Sequence, residues 1–338
     1  MKKYLLSLAM ILSLLTAGLP ALAAADPFAR EFADPTWKRA AGELAVQAGG
    51  RVKPLDTFAQ EGVELLTGGK TFKVGEGKKK DSLEILLSLS FEPQVWQEIQ
   101  FIEVPDSTLR KDLGLAHERK HFSPGELMKS SRLMALFQEM DTKLKAQEKL
   151  DPYFQGVQRM ANQMGFLQEL ISGRSLRLVP PTPEQFSTSD AWLGFDKFSD
   201  EAKLRFALMA AGFTSEKPEI QAKLGEYIAK FKEVAVANNP KLYPPERDMS
   251  LETHFNRLHP FRWAWILSLT AALLLSIGFY GKSKFWYYGG MAAFVGSFLF
   301  QIYGFALRCY ISGHPPVTNM YESVIWVAFG CMLFGFIL

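Results

Sequence analysis

Hydrophobic and polar positions divide the chain into three stretches. An unbroken apolar run extends from Tyr4 to about Leu19, behind Lys2 and Lys3. Residues 25 to about 258 mix polar and apolar positions, and from about residue 259 long apolar runs return. The mixed stretch is where periodicity speaks. Ala45 to Leu55 reads as a short strand, a Gly49-Gly50 turn and a second strand. Asp56-Thr57 then opens a helix that Gly68-Gly69 closes. Lys78-Lys79-Lys80 reads as a solvated turn, and Leu83 to Leu89 as an apolar run broken at Phe91-Glu92-Pro93. From Pro124 the spacing of Leu127, Leu133, Leu136, Met140 and Leu144 predicts one long amphipathic helix. Asp151-Pro152 starts the next, with Val157, Met160, Met164, Leu167 and Leu170 on its apolar face and Gly173 at its end. A proline-broken linker over 176–183 precedes two further helices, around 200–211 and 219–237. A second proline-rich segment, Asn238 to Ser250, leads to the apolar runs.

Those runs have the dimensions of membrane spans. A helix rises 1.5 Å per residue, so about twenty apolar residues cross a bilayer. Residues 261–280 carry only Arg262 as a charge, with Trp263, Trp265 and Tyr280 at the interfaces. Residues 285–307 form a second span, and 320–338 a third that reaches the last residue without a polar flank and reads as incomplete. Ala21-Leu22-Ala23 supplies the small-x-small pattern of an export signal over 1–24. The fold class that follows is mainly α. A signal peptide precedes an α-rich extracytoplasmic domain with a small β element (25–258) and a polytopic membrane part (259–338). With residues 25–258 outside, Lys282 and Lys284 fall on the inner side, as the positive-inside rule requires. The location expected is the bacterial cytoplasmic (inner) membrane, with the large domain on the periplasmic side.

Composition narrows the chemistry. A net charge of +3 over 338 residues is too small for a nucleic-acid partner. Cys309 and Cys331 are the two cysteines, and no CxxCH occurs, so the chain attaches no haem covalently and has no disulfide framework.

Two stretches carry candidate chemistry. His117-Glu118-Arg119-Lys120-His121 satisfies H-E-x-x-H, which on a helix places two zinc-ligating imidazoles on one face with Glu118 as general base. That reading makes the chain a zinc metalloprotease. Its context opposes it: Arg119 and Lys120 fill the variable positions, and Ser123-Pro124-Gly125 stops any helix one turn later. A solvated loop is the simpler reading. The other stretch lies between the second and third spans, where Ser312-Gly313-His314-Pro315-Pro316 forms a polar hook. Thr318 or Asn319 can cap the next helix, which enters the lipid with Tyr321 and Glu322 in its first turn. A carboxylate there is costly unless it meets the interface, a partner or a ligand. Arg308, His314, Tyr321 and Glu322 are therefore expected to line an external pocket mouth.

The residues Arg308, Ser312, Gly313, His314, Pro316, Asn319, Tyr321, Glu322 and Ser323 form R-x-x-x-S-G-H-x-P-x-x-N-x-Y-E-S ahead of an apolar helix. This resembles the opening of the CcsA/ResC family of cytochrome c assembly proteins. Gly50-Arg51-x-x-Pro54-Leu55-Asp56-Thr57 is similar to a segment ahead of the membrane part in its longer bacterial members. The resemblance implies that haem is handled as a substrate and delivered to apocytochrome c on the extracytoplasmic face, with a ResB-type membrane partner in the lipid bilayer. It implies Arg308 for a propionate, and His314 for an axial or polar contact unless its imidazole simply hydrogen-bonds the turn. The family's tryptophan-rich W-G-x-x-W-x-W-D segment is not present, so a self-sufficient synthase activity is not expected. The remaining alternative is a membrane-anchored scaffold or binding protein without chemistry.

Overall fold

The computed structural model describes residues 30, 32, 34–74, 79–186, 189–313, 315 and 320–337. The expected signal peptide lies outside them. The chain is mostly helical with little strand, and it divides into two compact units, Met1–Pro244 and Pro245–Leu338.

The first unit starts with α1 (Thr36–Gly42), whose Trp37 is buried. Strands β1 (Ala45–Ala48) and β2 (Arg51–Pro54) pair antiparallel in the register Ala45↔Pro54 and Ala48↔Arg51. The two-residue turn needs positive φ at both positions, which Gly49 (+61°) and Gly50 (+80°) adopt without a side-chain clash. Helix α2 (Leu55–Thr67) follows and stops where Gly68 turns left-handed, at φ 76°. Next, β3 (Thr71–Lys73) pairs with β4 (Lys79–Asp81). Lys79 and Lys80 are thus strand residues rather than part of a solvated turn, and Lys80 Nζ donates to the Arg30 carbonyl at 3.0 Å. Asp81 and Glu84 form a reciprocal capping box that starts α3 (Ser82–Phe91).

A third hairpin joins β5 (Ile102–Glu103) to β6 (His121–Phe122) around α4 (Ser107–Asp112). The single helix expected after Pro124 is two: α5 (Pro124–Met128) and α6 (Ser131–Lys145). The break has a cause in Ser130, whose backbone is extended and whose hydroxyl donates to the Leu113 carbonyl at 2.9 Å. Helix α7 (Pro152–Ile171) is capped by Asp151, which accepts from the Phe154 amide at 2.8 Å. Its buried Gln163 donates to the carbonyls of Leu65 and Glu103, at 2.8 and 3.0 Å, and so ties α7 to α2 and β5. The stretch read as a linker over 176–183 is core instead. Leu176, Leu178 and Val179 are buried, and Val179 bridges to Leu193. Helices α8 (Pro183–Phe186), α9 (Asp200–Thr214), α10 (Pro218–Gln221) and α11 (Leu224–Asn238) complete the unit. Its core is aromatic, with Trp37, Trp96, Phe101, Phe122 and Phe231 fully buried.

The second unit opens with α12 (Glu246–Leu258), a helix where the sequence reads as a proline-rich lead. His259 breaks the helical path at φ 48°, and Pro260 starts α13 (Pro260–Tyr280). Helix α14 (Lys284–Ser312) and helix α15 (Met320–Ile337) follow. Among the described residues, Glu246–Tyr280 and Lys284–Ser312 are long and apolar enough to cross a membrane. The apolar part of the last helix, Glu322–Phe336, is shorter.

Helices α13 and α14 touch through small residues. A Cβ on Gly278 would lie 2.6 Å from the Tyr287 amide nitrogen, and one on Gly290 2.8 Å from that of Leu275. Backbones meet where side chains are missing. A Cβ on Gly296, by contrast, would sit 3.6 Å from the nearest atom of Leu267. Gly290→Ala is therefore expected to destabilise the hairpin by about 1–3 kcal/mol. Gly296→Ala is expected to be neutral or to stabilise by up to about 1 kcal/mol, since alanine favours helix. SDS-induced unfolding of the detergent-solubilised chain measures both, and equal effects at the two sites would refute the close-approach account.

Candidate functional site

The charged pair at the end of the second unit is built by two helix ends. Gly313 closes α14 in the left-handed conformation, at φ 70°, with its amide on the Cys309 carbonyl at 2.9 Å. Arg308 lies just over one turn before that end, where the helix dipole favours a cation. Glu322 lies in the first turn of α15, where it favours an anion. The two meet: Arg308 Nε and Nη2 donate to Glu322 Oε1 at 3.1 and 3.0 Å. The Glu322 side chain is 5% exposed and that of Arg308 37%. The carboxylate is desolvated, while the arginine side chain stays partly exposed.

Polar contacts continue down the same helices. Gln301 Nε2 donates to the Met332 thioether at 2.8 Å, and Ser297 Oγ donates to the Ala264 carbonyl at 2.6 Å, with Ser268 Oγ 2.6 Å away. Gln301 Oε1 is buried with no hydrogen-bond partner among the described residues. Aromatic rings fill the intervals: Phe305 meets Trp326 edge-on at 5.3 Å, and Phe298 stacks on Phe329 at 5.3 Å.

Of the four residues predicted to line the mouth, the structure brings Arg308 and Glu322 together. His314 and the side chain of Tyr321 lie outside the described residues. Sequence reasoning missed a second polar layer contributed by α12. Tyr310 donates to Asp248 at 2.9 Å beneath the Arg247 guanidinium, 5.7 Å from the ring, and His254 Nε2 lies 3.0 Å from the Tyr303 hydroxyl. The only signal for it was the mixed polarity of residues 246–258, hidden by the prolines before them.

The H-E-x-x-H segment does not have the geometry that makes the motif a zinc site. Residues 117–120 form bends and loop, and His121 begins β6. Gly114, left-handed at φ 70°, ends α4, and pairing of His121 with Glu103 holds the second histidine in a strand. His117 and Glu118 are exposed. The His121 imidazole is used elsewhere, with Nε2 at 3.0 Å from the Thr67 carbonyl and its ring on Phe72. Arg119 pairs with Glu126. Among the described residues no three His, Cys, Asp or Glu side chains cluster as metal ligands.

No family model matches the chain. It is similar to the protein NrfI of Wolinella succinogenes, at 22% identity over 309 residues covering 86% of this chain and 33% of that relative. The chain thus spans about a third of the relative's length. The coverage exceeds either unit alone, so the similarity includes parts of both.

Removing one partner of a desolvated ion pair costs about 3–5 kcal/mol, whereas replacing both partners with apolar residues is often neutral. Arg308→Ala is accordingly expected to loosen α15 by a few kcal/mol, on that scale. The double replacement Arg308→Met with Glu322→Met should restore most of the loss. Hydrogen exchange of the Glu322–Phe329 amides reads both, and unchanged protection in Arg308→Ala would show that the pair does not hold the helix.

Proposed function

We propose that this chain is a membrane component of cytochrome c maturation, acting in haem delivery to apocytochrome c and its attachment on the extracytoplasmic face. The observation that carries the reading is the Arg308–Glu322 pair at the start of the last helix, inside the pattern that resembles the CcsA/ResC family. The similarity to NrfI over both units points the same way.

Haem is the cargo here, and its two propionates need cations at a membrane surface. Arg308 suits that need: Glu322 holds its Nε and Nη2, and the side chain stays partly exposed, so Nη1 is proposed to meet a carboxylate. Trp326 and Phe305 are placed one turn deeper, where a flat apolar ring would be met by aromatic surface. His314 and Tyr321 are proposed to complete the mouth. In this reading an export signal over 1–24 and three spans put the first unit in the periplasm, and a ResB-type partner joins the chain in the inner membrane. The rest of the maturation chemistry is assigned to segments or partners beyond these residues. Zinc hydrolysis through His117, Glu118 and His121 is not adopted, because the motif is not helical.

In cells dependent on this protein, Arg308→Ala and Glu322→Ala are expected to lower haem-stained c-type cytochrome at least tenfold. Glu118→Ala should leave it unchanged. Glu322→Gln, which keeps the shape and removes the charge, separates loss of function from loss of the protein, whose level is followed by immunoblot. Normal cytochrome with Arg308→Ala present at the wild-type level would remove the pair from the site.

A further inference from the structure

The first unit contains a cavity of about 220 Å³ that plays no part in the site above. Its floor is apolar: Leu89, Trp96, Met128, Met164, Leu167 and Ile171. Trp96 is fixed there, since it is 1% exposed and its indole N–H donates to Ser88 Oγ at 2.9 Å. Met128 and Met164 give the lining a surface that adapts to different apolar shapes.

The rim is of another kind. Gln94, Gln97 and Gln168 line it, and none of their side-chain amides is hydrogen-bonded within the protein among the described residues. Beside them the backbone of Glu98 makes no hydrogen bond among the described residues. The Glu98 carboxylate is exposed on this rim and has no cationic partner among those residues. The mouth therefore offers amide donors and acceptors, the unbonded main-chain groups of Glu98 and one negative charge around an apolar hole.

These features select among occupants. Sites that enclose small organic ligands have volumes of roughly 300–1,000 Å³, and this cavity is smaller. No histidine or cysteine lines it, so a metal has no soft donors beyond two thioethers. An anionic ligand is opposed by Glu98. A polypeptide matches every part: a bulky side chain for the hole, peptide groups for the free amides and main chain, and a basic residue for the carboxylate.

We propose that this cavity receives one bulky apolar side chain of an extended polypeptide, with a basic residue beside that anchor facing Glu98. The inference rests on the maturation reading only for the identity of the client, an unfolded chain awaiting haem.

The test uses the full chain in detergent micelles and fluorescein-labelled eleven-residue peptides followed by anisotropy. Three peptides share a Gly/Ser frame: a central leucine flanked by lysines, the same leucine flanked by glutamates, and a central alanine flanked by lysines. The lysine-flanked leucine peptide should bind saturably and at least tenfold tighter than the alanine peptide. It should also bind at least fivefold tighter than the glutamate-flanked one. Glu98→Lys, at an exposed position, should invert the charge preference, and Met128→Trp, which fills the hole, should weaken binding at least tenfold. Equal binding of the leucine and alanine peptides, or a charge preference that survives Glu98→Lys, would overturn the proposal. Displacement of the peptide by stoichiometric hemin would also overturn it, assigning the cavity to a tetrapyrrole. Failure here together with cytochrome loss in the Arg308 variants would sink the cavity alone. Peptide binding with normal cytochrome in those variants would sink the maturation reading alone.

Discussion

Lipid supplies no hydrogen bonds, so a polar group on a membrane helix must find its partner within the protein. That constraint decides where the helices of the second unit meet. Ser297 is fully buried against α13, whose backbone approaches that of α14 closely at Gly278 and Gly290. The Ala264 carbonyl, already in a helix, takes the Ser297 hydroxyl as an additional donor. Gln301 then projects toward α15 and finds Met332, and Arg308 finds Glu322. Contacts of α15 follow this polar ladder along one face. Much of the rest of that helix, including Val324, Val327 and Phe334, is apolar and exposed, as suits lipid or a neighbouring span.

The first unit obeys the opposite solvent rule. Water satisfies its surface, and its interior is an aromatic core held by local devices. Several of these devices were legible in the sequence because each is short: the Gly49-Gly50 turn, the Gly68 stop and the cap at Asp151. Long-range partners were not legible. Ser130 breaks a helix through the carbonyl of Leu113, and Val179 is drawn into the core by pairing with Leu193. Neither partner can be inferred from spacing, because loop closure brings in residues that the periodicity of a window never sees. The strand at Lys79–Asp81 is a similar case. A lysine run reads as solvated until the main chain of Thr71–Lys73 supplies it with a ladder.

The candidate site divides along the same line. Arg308 and Glu322 were readable because each is a charge set against an apolar helix, and such a charge demands an explanation. Asp248 and His254 were not, because charges on an amphipathic helix are ordinary. Only the packing of α12 on α14 turns them into partners of Tyr310 and Tyr303. The histidine motif shows the converse error that spacing invites. Four-residue spacing joins two imidazoles on a helix, but here residues 117–120 are bends and loop and only His121 enters a strand, so the same letters hold no common ligand.

The arrangement of the charged pair also bears on how it would work. An isolated arginine at a membrane surface loses side-chain freedom when it grips a carboxylate, and that ordering weakens binding. Glu322 meets this cost in advance, since it holds two of the guanidinium nitrogens before any ligand arrives. The same pairing lowers the net charge that an incoming anion feels, so attraction is exchanged for orientation. For a ligand that is mainly an apolar ring with acidic edges, the exchange is favourable. In the proposed role, the aromatic surface next to the pair would supply the affinity, and the guanidinium held by Glu322 would set which way round the ring sits.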